Sequence, residues 1–203
     1  VNNWKEFKKA DNKAQIPVFM ANKWTYFKKS FQPDIIIDGR MMKKENDTRK
    51  DEASLVIGLG PGFKAGKDVD VVIETCRGHY LGRAIYSGKA QTYQDKPGKI
   101  AGIGKKRVIY APHHGTFYRE KDIGDHIEKG EIFGYIDQTC LEAEISGMIR
   151  GQIFPSLEVE KDCKIGDIDP RDAEDYCYTI SEKALAIGGG VLEAIFHLNR
   201  DFA

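Results

Sequence analysis

The feature that most constrains the fold is a gapless internal repeat. Residues 111–137 align with residues 143–169, 32 positions further along the chain. Each copy alternates short apolar stretches with glycine turns, a pattern that is typical of strands, and such a unit exposes one apolar face. Two copies are therefore expected to pack together as a small sandwich or barrel of antiparallel strands. The identical pairs are Ala111 and Ala143, Gly115 and Gly147, Glu128 and Glu160, Lys129 and Lys161, Gly134 and Gly166, Ile136 and Ile168, and Asp137 and Asp169.

The repeat resembles the two halves of a biotinyl/lipoyl-type domain, the barrel-sandwich hybrid. The first half is carried by Ala111-Pro112-x-x-Gly115-Thr116 and Ile123-Gly124-Asp125, and the second by Ala143-x-x-Ser146-Gly147-Met148. Domains of that type carry a modifiable lysine on the connection between the halves. Here the connection, residues 137–142, reads Asp-Gln-Thr-Cys-Leu-Glu and contains no lysine. No covalent biotin or lipoate is therefore expected, and the segment is interpreted as a scaffold.

The parts flanking the repeat predict an α+β protein. The apolar run Asp34–Asp38, bounded by proline and glycine, favours a strand that is buried on both faces in a parallel sheet. A strand over residues 16–20 and a helix over 24–30 would complete a β-α-β unit, a partial α/β, Rossmann-like layer. Two short C-terminal helices are predicted on either side of Gly188–Gly190. The expected segments are 1–52, the partial layer; 53–105, strands with a glycine-rich turn; 106–171, the duplicated barrel-sandwich; and 172–203, the helical end.

Composition excludes two classes of partner and points to the cytoplasm. The 31 Lys and Arg residues balance 31 Asp and Glu residues, whereas a general nucleic-acid binder needs a basic excess. No apolar run approaches the ~20 residues that span a bilayer, and no signal-peptide pattern opens the chain. The cysteines, Cys76, Cys140, Cys163 and Cys177, form no closely spaced pair, which favours free thiols in a reducing compartment.

The densest group of functional side chains follows a glycine-rich turn. Gly58, Gly60 and Gly62 come directly after a predicted strand, where phosphate-binding loops lie, although the spacing matches neither G-x-G-x-x-G nor a P-loop. They are interpreted either as an anion-binding nest or as a sharp turn between strands. Next come four candidate ligand-binding residues: Arg77 and Arg83 suit a phosphate or carboxylate, and Glu74 and His79 suit proton transfer. The alternative is a surface ion-pair cluster without chemistry.

Three further groups have both a functional and a structural interpretation. Cys76-x-x-His79 has the spacing of half a metal site, which His113 and His114 would have to complete. The alternative is that His113 and His114 are turn residues at the start of the repeat, and no metal is expected.

Asp167 and Asp169 lie two positions apart, so on a strand they would share a face and bind a cation or share a proton. The alternative is a turn at Asp169-Pro170 in which Arg171 pairs with Asp167. Gly188, Gly189 and Gly190 either open a helix whose free N–H groups bind an anion or act as a stop and hinge.

The motifs taken together resemble the YqeB-type proteins of the selenium-dependent molybdenum hydroxylase system. The stretches are 55–63, Leu-Val-Ile-Gly-Leu-Gly-Pro-Gly-Phe; 73–83, with Arg77-Gly78-His79; 164–171; and 179–194, with its three glycines. The resemblance implies a bacterial cytoplasmic accessory or maturation factor. The concentration of glycine turns with charged side chains favours one that binds an anionic small molecule; these residues are Glu74, Arg77, His79, Arg83, Arg171 and Gly188–Gly190. Its partners would be a molybdenum hydroxylase or other maturation proteins, and self-association is left open. The resemblance assigns no catalytic residue and no cofactor, and a protein-interaction scaffold is the alternative function.

Overall fold

The structure is a computed structural model that describes residues 4–11, 15–19, 31–41, 47–92 and 98–198. The chain forms two compact units. Unit 1 comprises Val1–Tyr93 and Ala186–Ala203, and unit 2 comprises Gln94–Leu185. Strands in curled sheets and a long C-terminal helix make the chain an α+β protein, as the sequence predicts. The finer four-segment division stays a prediction.

A mixed four-stranded sheet forms the centre of unit 1. Strands β1, β2 and β3 run parallel in that order, and β4 adds to β3 in the antiparallel direction. The central strand β2 is almost entirely buried, because its Val and Ile side chains meet apolar layers on both faces. The bounds are β1, Ile35–Asp38; β2, Leu55–Leu59; β3, Val71–Ile73; and β4, Ala84–Ile85.

The predicted parallel strand over residues 34–38 is confirmed as β1, but its predicted burial on both faces is wrong. Ile37 is 47% exposed, so the face of β1 on which it lies is only partly covered. Residues 15–19 form no strand, in contrast to the prediction over 16–20. The helix predicted over 24–30 lies outside the described residues. A helix that was not predicted, α1, spans Trp4–Asp11.

The C-terminal helix runs without interruption through the three glycines, which corrects the expectation of two short helices. This helix, α3, spans Glu182–Leu198. Ala194 and Gly190 are buried against the unit 1 sheet, and a Cβ at Gly190 would overlap the carbonyl group of Gly82. Gly190 therefore permits a close approach of two backbones, and packing outweighs its low helix propensity.

Unit 2 consists of short strands in two four-stranded sheets with the orders β5-β12-β10-β7 and β11-β6-β8-β9. One short helix, α2, follows the last strand at Asp175–Tyr178. Single 3₁₀ turns lie at Lys50–Glu52 in unit 1 and Lys105–Arg107 in unit 2. The strand bounds are β5, Val108–Tyr110; β6, Gly115–Arg119; β7, His126–Ile127; β8, Ile132–Ile136; β9, Thr139–Glu142; β10, Gly147–Gln152; β11, Glu158–Val159; and β12, Lys164–Asp169.

The sequence repeat is a structural repeat. Strands β6, β7 and β8 of the first copy correspond to β10, β11 and β12 of the second at the same spacing of 32 residues. Phe117 pairs with Ile136 in the first copy, and their equivalents Ile149 and Ile168 pair in the second. The first strand of each copy also pairs with the middle strand of the other, β6 with β11 and β10 with β7. The two copies therefore share one apolar core, as their single apolar faces require.

Among the described residues, no helix is both long enough and apolar enough to cross a membrane.

Candidate functional site

Three parallel strands of unit 1 bring their following loops to one end of the sheet. Asp38 at the end of β1 pairs with Gly58 in β2, and Leu59 pairs with Ile73 at the end of β3. We name this end of the sheet the carboxyl edge and define it as residues 38–40, 58–63 and 74–83. In open sheets of parallel strands, ligands bind beyond the carboxyl ends of the strands. The carboxyl edge contains seven of the predicted site residues, namely Gly58, Gly60, Gly62, Glu74, Arg77, His79 and Arg83.

Glu74 is the anchor of the loop that follows β3. Its carboxylate is buried and accepts hydrogen bonds from the backbone N–H groups of Cys76 and Gln91, both at 2.8 Å. Its own backbone N–H donates to the carbonyl of Arg83, and its carbonyl accepts from Gly82. Because both carboxylate oxygens receive a backbone donor, the geometry of Glu74 is that of a structural clamp that fixes the loop. Proton transfer by Glu74 stays a prediction.

The side chains of the fixed loop are directed to solvent. Arg77, His79 and Arg83 are all exposed. The guanidinium carbon of Arg83 lies 4.5 Å from the centre of the Tyr80 ring, and the His79 ring meets the same tyrosine edge-on at 5.0 Å. Tyr80 thereby holds Arg83 by a cation–π contact and orients His79 beside it. Two groups able to bind an anion are thus placed on one tyrosine in a loop with a defined backbone.

Packing explains two of the three glycines at the end of β2, where Gly58 lies within the strand and Gly60 and Gly62 follow it. A Cβ at Gly58 would lie 2.6 Å from the Phe63 ring, and one at Gly60 would lie 2.6 Å from the Thr75 hydroxyl. Gly60 also has a φ of +80°, and its N–H donates to the carbonyl of Ile73. This donor is therefore already satisfied, and at Gly60 the geometry favours the sharp turn over a nest of free N–H groups. Gly62 has a φ of +104°.

The carboxyl edge also contains an ion pair between buried Asp38 and half-exposed Arg40 that sequence reasoning missed. Asp38 accepts hydrogen bonds from the Arg40 guanidinium at 2.7 Å and from the Thr48 hydroxyl at 2.6 Å. Burial alone would raise the pKa of Asp38, but these donors lower it below its ordinary value. Arg40 also pairs with Asp47 at 2.7 Å. Its hydrogen bonds to Asp38 and then to Asp47 raise the pKa of Arg40. The close spacing of Asp38 and Arg40 in the sequence could have predicted their ion pair. The contact of Asp38 with Thr48 could not be predicted, because the two residues lie far apart in the sequence.

In unit 2, Asp169 and Arg171 form an ion pair that differs from the predicted one. Arg171 pairs with Asp169, not with Asp167, through two side-chain hydrogen bonds of 2.6 and 2.9 Å. Asp169 is fully buried and also accepts from Arg150 at 3.1 Å. Hydrogen bonding from Arg171 therefore lowers the pKa of Asp169 despite its burial. Asp167 instead binds Arg107 and Lys164. Because each carboxylate has two cationic partners, the arrangement is that of two structural ion-pair clusters.

The remaining candidates are placed as follows. Gly188, Gly189 and Gly190 lie inside α3 rather than at its start, so the free N–H groups expected of a helix N-terminus are not formed there. His113 binds the carbonyl of His114 and the hydroxyl of Thr139 through its ring nitrogens. Within the described ranges, no three His, Cys, Asp or Glu side chains are grouped so that they could hold a metal ion.

Fold and site together define an α+β protein with a polar loop cluster at the carboxyl edge of unit 1 and an internally duplicated β structure in unit 2. No family model matches the chain. Over 167 residues, 82% of the chain, it is 44% identical to "Uncharacterized protein YqeB" of Escherichia coli (strain K12). The match covers 31% of that protein, so the chain spans about a third of its length. The similarity supports a YqeB-type protein, the type that the motifs indicate.

Among solved structures, parts of the chain match parts of two proteins at low similarity. A succinylglutamate desuccinylase/aspartoacylase from Rhodobacter sphaeroides matches with 19% identity and a TM-score of 0.29, covering 41% of this chain and 29% of that one. The ectoine utilization protein EutE (DoeB) from Ruegeria pomeroyi matches with 16% identity and a TM-score of 0.30, covering 41% and 27%. Likeness at this level supports no conclusion about the fold or the activity of this chain.

Proposed function

We propose that the chain is part of a YqeB-type bacterial accessory protein that acts in the cytoplasm in the maturation of a selenium-dependent molybdenum hydroxylase. In this proposal unit 1 is a Rossmann-like layer that binds an anionic small molecule at the carboxyl edge, and unit 2 is a barrel-sandwich hybrid. The observation that carries the proposal is the loop of residues 74–83. Buried Glu74 fixes its backbone, while Arg77, His79 and Arg83 are exposed beyond the ends of parallel strands.

The chemistry of these side chains fits an oxyanion. Guanidinium groups donate several hydrogen bonds in a planar fork that matches phosphate, carboxylate and similar anions. The His79 imidazole beside Arg83 supplies a further ring N–H donor. The candidate ligands are a nucleotide, a pterin cofactor, molybdate and a selenium oxyanion. Their common chemistry is an exposed oxyanion.

The binding test compares two arginine variants. Purified chain is titrated with ATP, a pterin cofactor, molybdate and selenite while thermal unfolding is followed. A ligand at ~100 times its dissociation constant should stabilise the fold by about 2.7 kcal/mol. The double variant Arg77→Ala, Arg83→Ala should lose that stabilisation, whereas Arg119→Ala, an exposed arginine of unit 2, should retain it. Equal stabilisation in both variants would place the ligand elsewhere.

The maturation role is tested in cells. The gene of the full-length protein is replaced in a bacterium that makes a selenium-dependent molybdenum hydroxylase, and the hydroxylase is purified. Loss of the gene, or the double arginine variant, should lower the selenium or molybdenum content of the hydroxylase without lowering its amount. Unchanged metal and selenium content and unchanged activity would contradict the role.

A protein-interaction scaffold without a ligand is the second candidate function. It is favoured by the connection between the repeat copies, which forms a hairpin from β8 to β9 through Asp137 and Gln138 and carries no lysine. A pull-down from cells that make the hydroxylase, with the full-length protein as bait, should recover the hydroxylase or a maturation protein under this function. Recovery of neither would count against it.

A further inference from the structure

Arg83 is a cation for which the described residues supply no carboxylate. It forms no hydrogen bond or ion pair with them, and its guanidinium rests on the ring of Tyr80. Other arginines in the described ranges each pair with an aspartate, namely Arg40, Arg107, Arg119, Arg150 and Arg171. The N–H donors of Arg83 are therefore not used by the described part of the chain, although the loop that carries them has a fixed backbone.

The pair of Arg171 and Tyr176 in unit 2 shows a closed arrangement of the same kind. There the guanidinium carbon lies 4.3 Å from the ring centre, close to the 4.5 Å of Arg83 over Tyr80. Arg171 also donates two side-chain hydrogen bonds to buried Asp169, which supplies the negative charge. Arg83 has no such acceptor among the described residues, so a bound anion would have the role at Arg83 that Asp169 has at Arg171.

Tyr80 and His79 are the other two groups that a ligand of this loop would meet. Tyr80 is 47% exposed even though the Arg83 guanidinium and the His79 ring lie against it. Its hydroxyl and the His79 ring nitrogens form no hydrogen bond with the described residues, whereas the exposed Tyr178 donates its hydroxyl to the carbonyl of Ile123. An aromatic surface, a cation and an imidazole are thus held together and open to a ligand.

The size of the available interactions indicates which ligand would gain most from these groups. An ion pair on an exposed surface strengthens binding by about fivefold at most in the usual case. A base stacked on an aromatic side chain strengthens binding by about 5- to 150-fold. A simple oxyanion such as molybdate uses only the first contribution, whereas a phosphate attached to a planar heterocycle uses both.

We propose that the loop of residues 74–83 selects a ligand in which phosphate is attached to a planar heterocycle, as in a nucleotide or a phosphorylated pterin. The heterocycle stacks on the exposed surface of Tyr80, and the phosphate accepts hydrogen bonds from the Arg83 guanidinium and the His79 ring. Tyr80 is then the residue that determines specificity. This inference rests on the anion site proposed for the carboxyl edge and narrows its ligands to those that carry a heterocycle.

The test compares probes that share a triphosphate chain and differ in what the chain carries. Adenosine triphosphate carries a purine nucleoside, neopterin triphosphate carries a pterin, and inorganic tripolyphosphate carries neither. Each is titrated into the purified chain at one ionic strength, and calorimetry gives its dissociation constant. At least one heterocyclic probe should bind about fivefold or more tightly than tripolyphosphate. The tighter of the two heterocyclic probes shows whether the ligand is a nucleotide or a pterin.

Variants of Tyr80 separate stacking from the phosphate contact. Tyr80→Leu should bring the affinities for the heterocyclic probe and tripolyphosphate to within about twofold of each other, whereas Tyr80→Phe keeps the ring and should keep the preference. Tyr118→Leu, the same replacement at a tyrosine of unit 2 that is 48% exposed, should leave the preference unchanged. The ratio of the two affinities is the readout, because a displaced Arg83 would weaken both probes alike. Circular dichroism verifies that each variant is folded.

Nuclear Overhauser effects give a readout that a purely structural role of Tyr80 would not produce. In the complex with the tighter heterocyclic probe, cross-peaks should join protons of the heterocycle to the ring protons of Tyr80. Cross-peaks from the heterocycle to other aromatic rings but not to Tyr80 would overturn the inference.

The affinities distinguish failure of this inference from failure of the anion site. Equal affinities for all three probes, each lost in Arg83→Ala, would keep the anion site and overturn the selection of a heterocycle. A preference for the heterocycle that persists in Tyr80→Leu would also overturn it. The absence of binding by all three probes, or binding that Arg83→Ala does not weaken, would contradict the anion site and this inference together.

Discussion

Gly189→Ala and Gly190→Ala, neighbouring substitutions in α3, should have opposite effects on stability. A Cβ at Gly189 meets nothing within 4 Å, so this substitution changes only the backbone preference. Replacing a glycine in a helix interior with alanine favours the helix by about 0.5–1 kcal/mol. A Cβ at Gly190 would overlap the Gly82 carbonyl and lie 3.1 Å from a methyl group of Ile73. The backbone of the Gly82 turn would have to move.

Comparison of the two variants isolates the steric cost of the Cβ atom added at position 190. Both variants gain the same helix preference and restrict the unfolded chain equally, so these contributions cancel when the two variants are compared. The remaining difference is the cost of overpacking, about 1–3 kcal/mol. We expect Gly189→Ala to raise the free energy of unfolding. The free energy of unfolding of Gly190→Ala should be lower than that of Gly189→Ala by about 1–3 kcal/mol. Urea unfolding followed by circular dichroism measures both. A Gly190→Ala protein as stable as Gly189→Ala would refute the close contact of α3 with the Gly82 turn.

Three further predictions concern buried and paired charges. Glu74→Gln leaves one of the two backbone N–H donors facing an amide NH₂. We therefore expect the free energy of unfolding to fall by about 1–3 kcal/mol and hydrogen exchange in the loop after β3 to become faster. Unchanged exchange would contradict the role of Glu74 as a clamp. Asp169→Asn should lower the free energy of unfolding by about 1–3 kcal/mol. This is less than usually follows from breaking a buried ion pair, because both guanidinium groups reach solvent. Asp137→Asn, at the exposed equivalent position, should lower it less in the same urea unfolding experiment. The pKa of His126 is raised by Asp172 and then by Glu128, so its stabilising contribution is present below its unfolded pKa of about 6.5 and is lost as pH rises through the higher folded pKa. NMR titration should show Asp172→Asn lowering the His126 pKa, and an unchanged pKa would contradict the ion pair.

The repeat and the parallel strands could be predicted because their signals are local. Identical residues at one fixed spacing define the register of two copies, and the structure places their strands at that spacing. Continuous apolar runs marked β1 and β2, although the exposed face of Ile37 could not be foreseen. Its exposure depends on what packs on that face of the sheet, which the run of three isoleucines does not encode.

The ion pairs and the continuous helix could not be predicted for a different reason. Whether Arg171 takes Asp167 or Asp169 depends on the positions of Arg107 and Arg150, which come from other parts of the chain. The three glycines in α3 have low helix propensity, and the favourable packing that overrides it involves Gly82, more than 100 residues away. Such long-range contacts leave no local pattern.

The most direct test of the proposed function is the titration of the purified chain with ATP, a pterin cofactor, molybdate and selenite. The account predicts that at least one of these anions raises the unfolding temperature, and that Arg77→Ala with Arg83→Ala removes the effect while Arg119→Ala does not. An anion whose effect is the same in all three proteins, or no effect from any of the four, would contradict an anion site at the carboxyl edge.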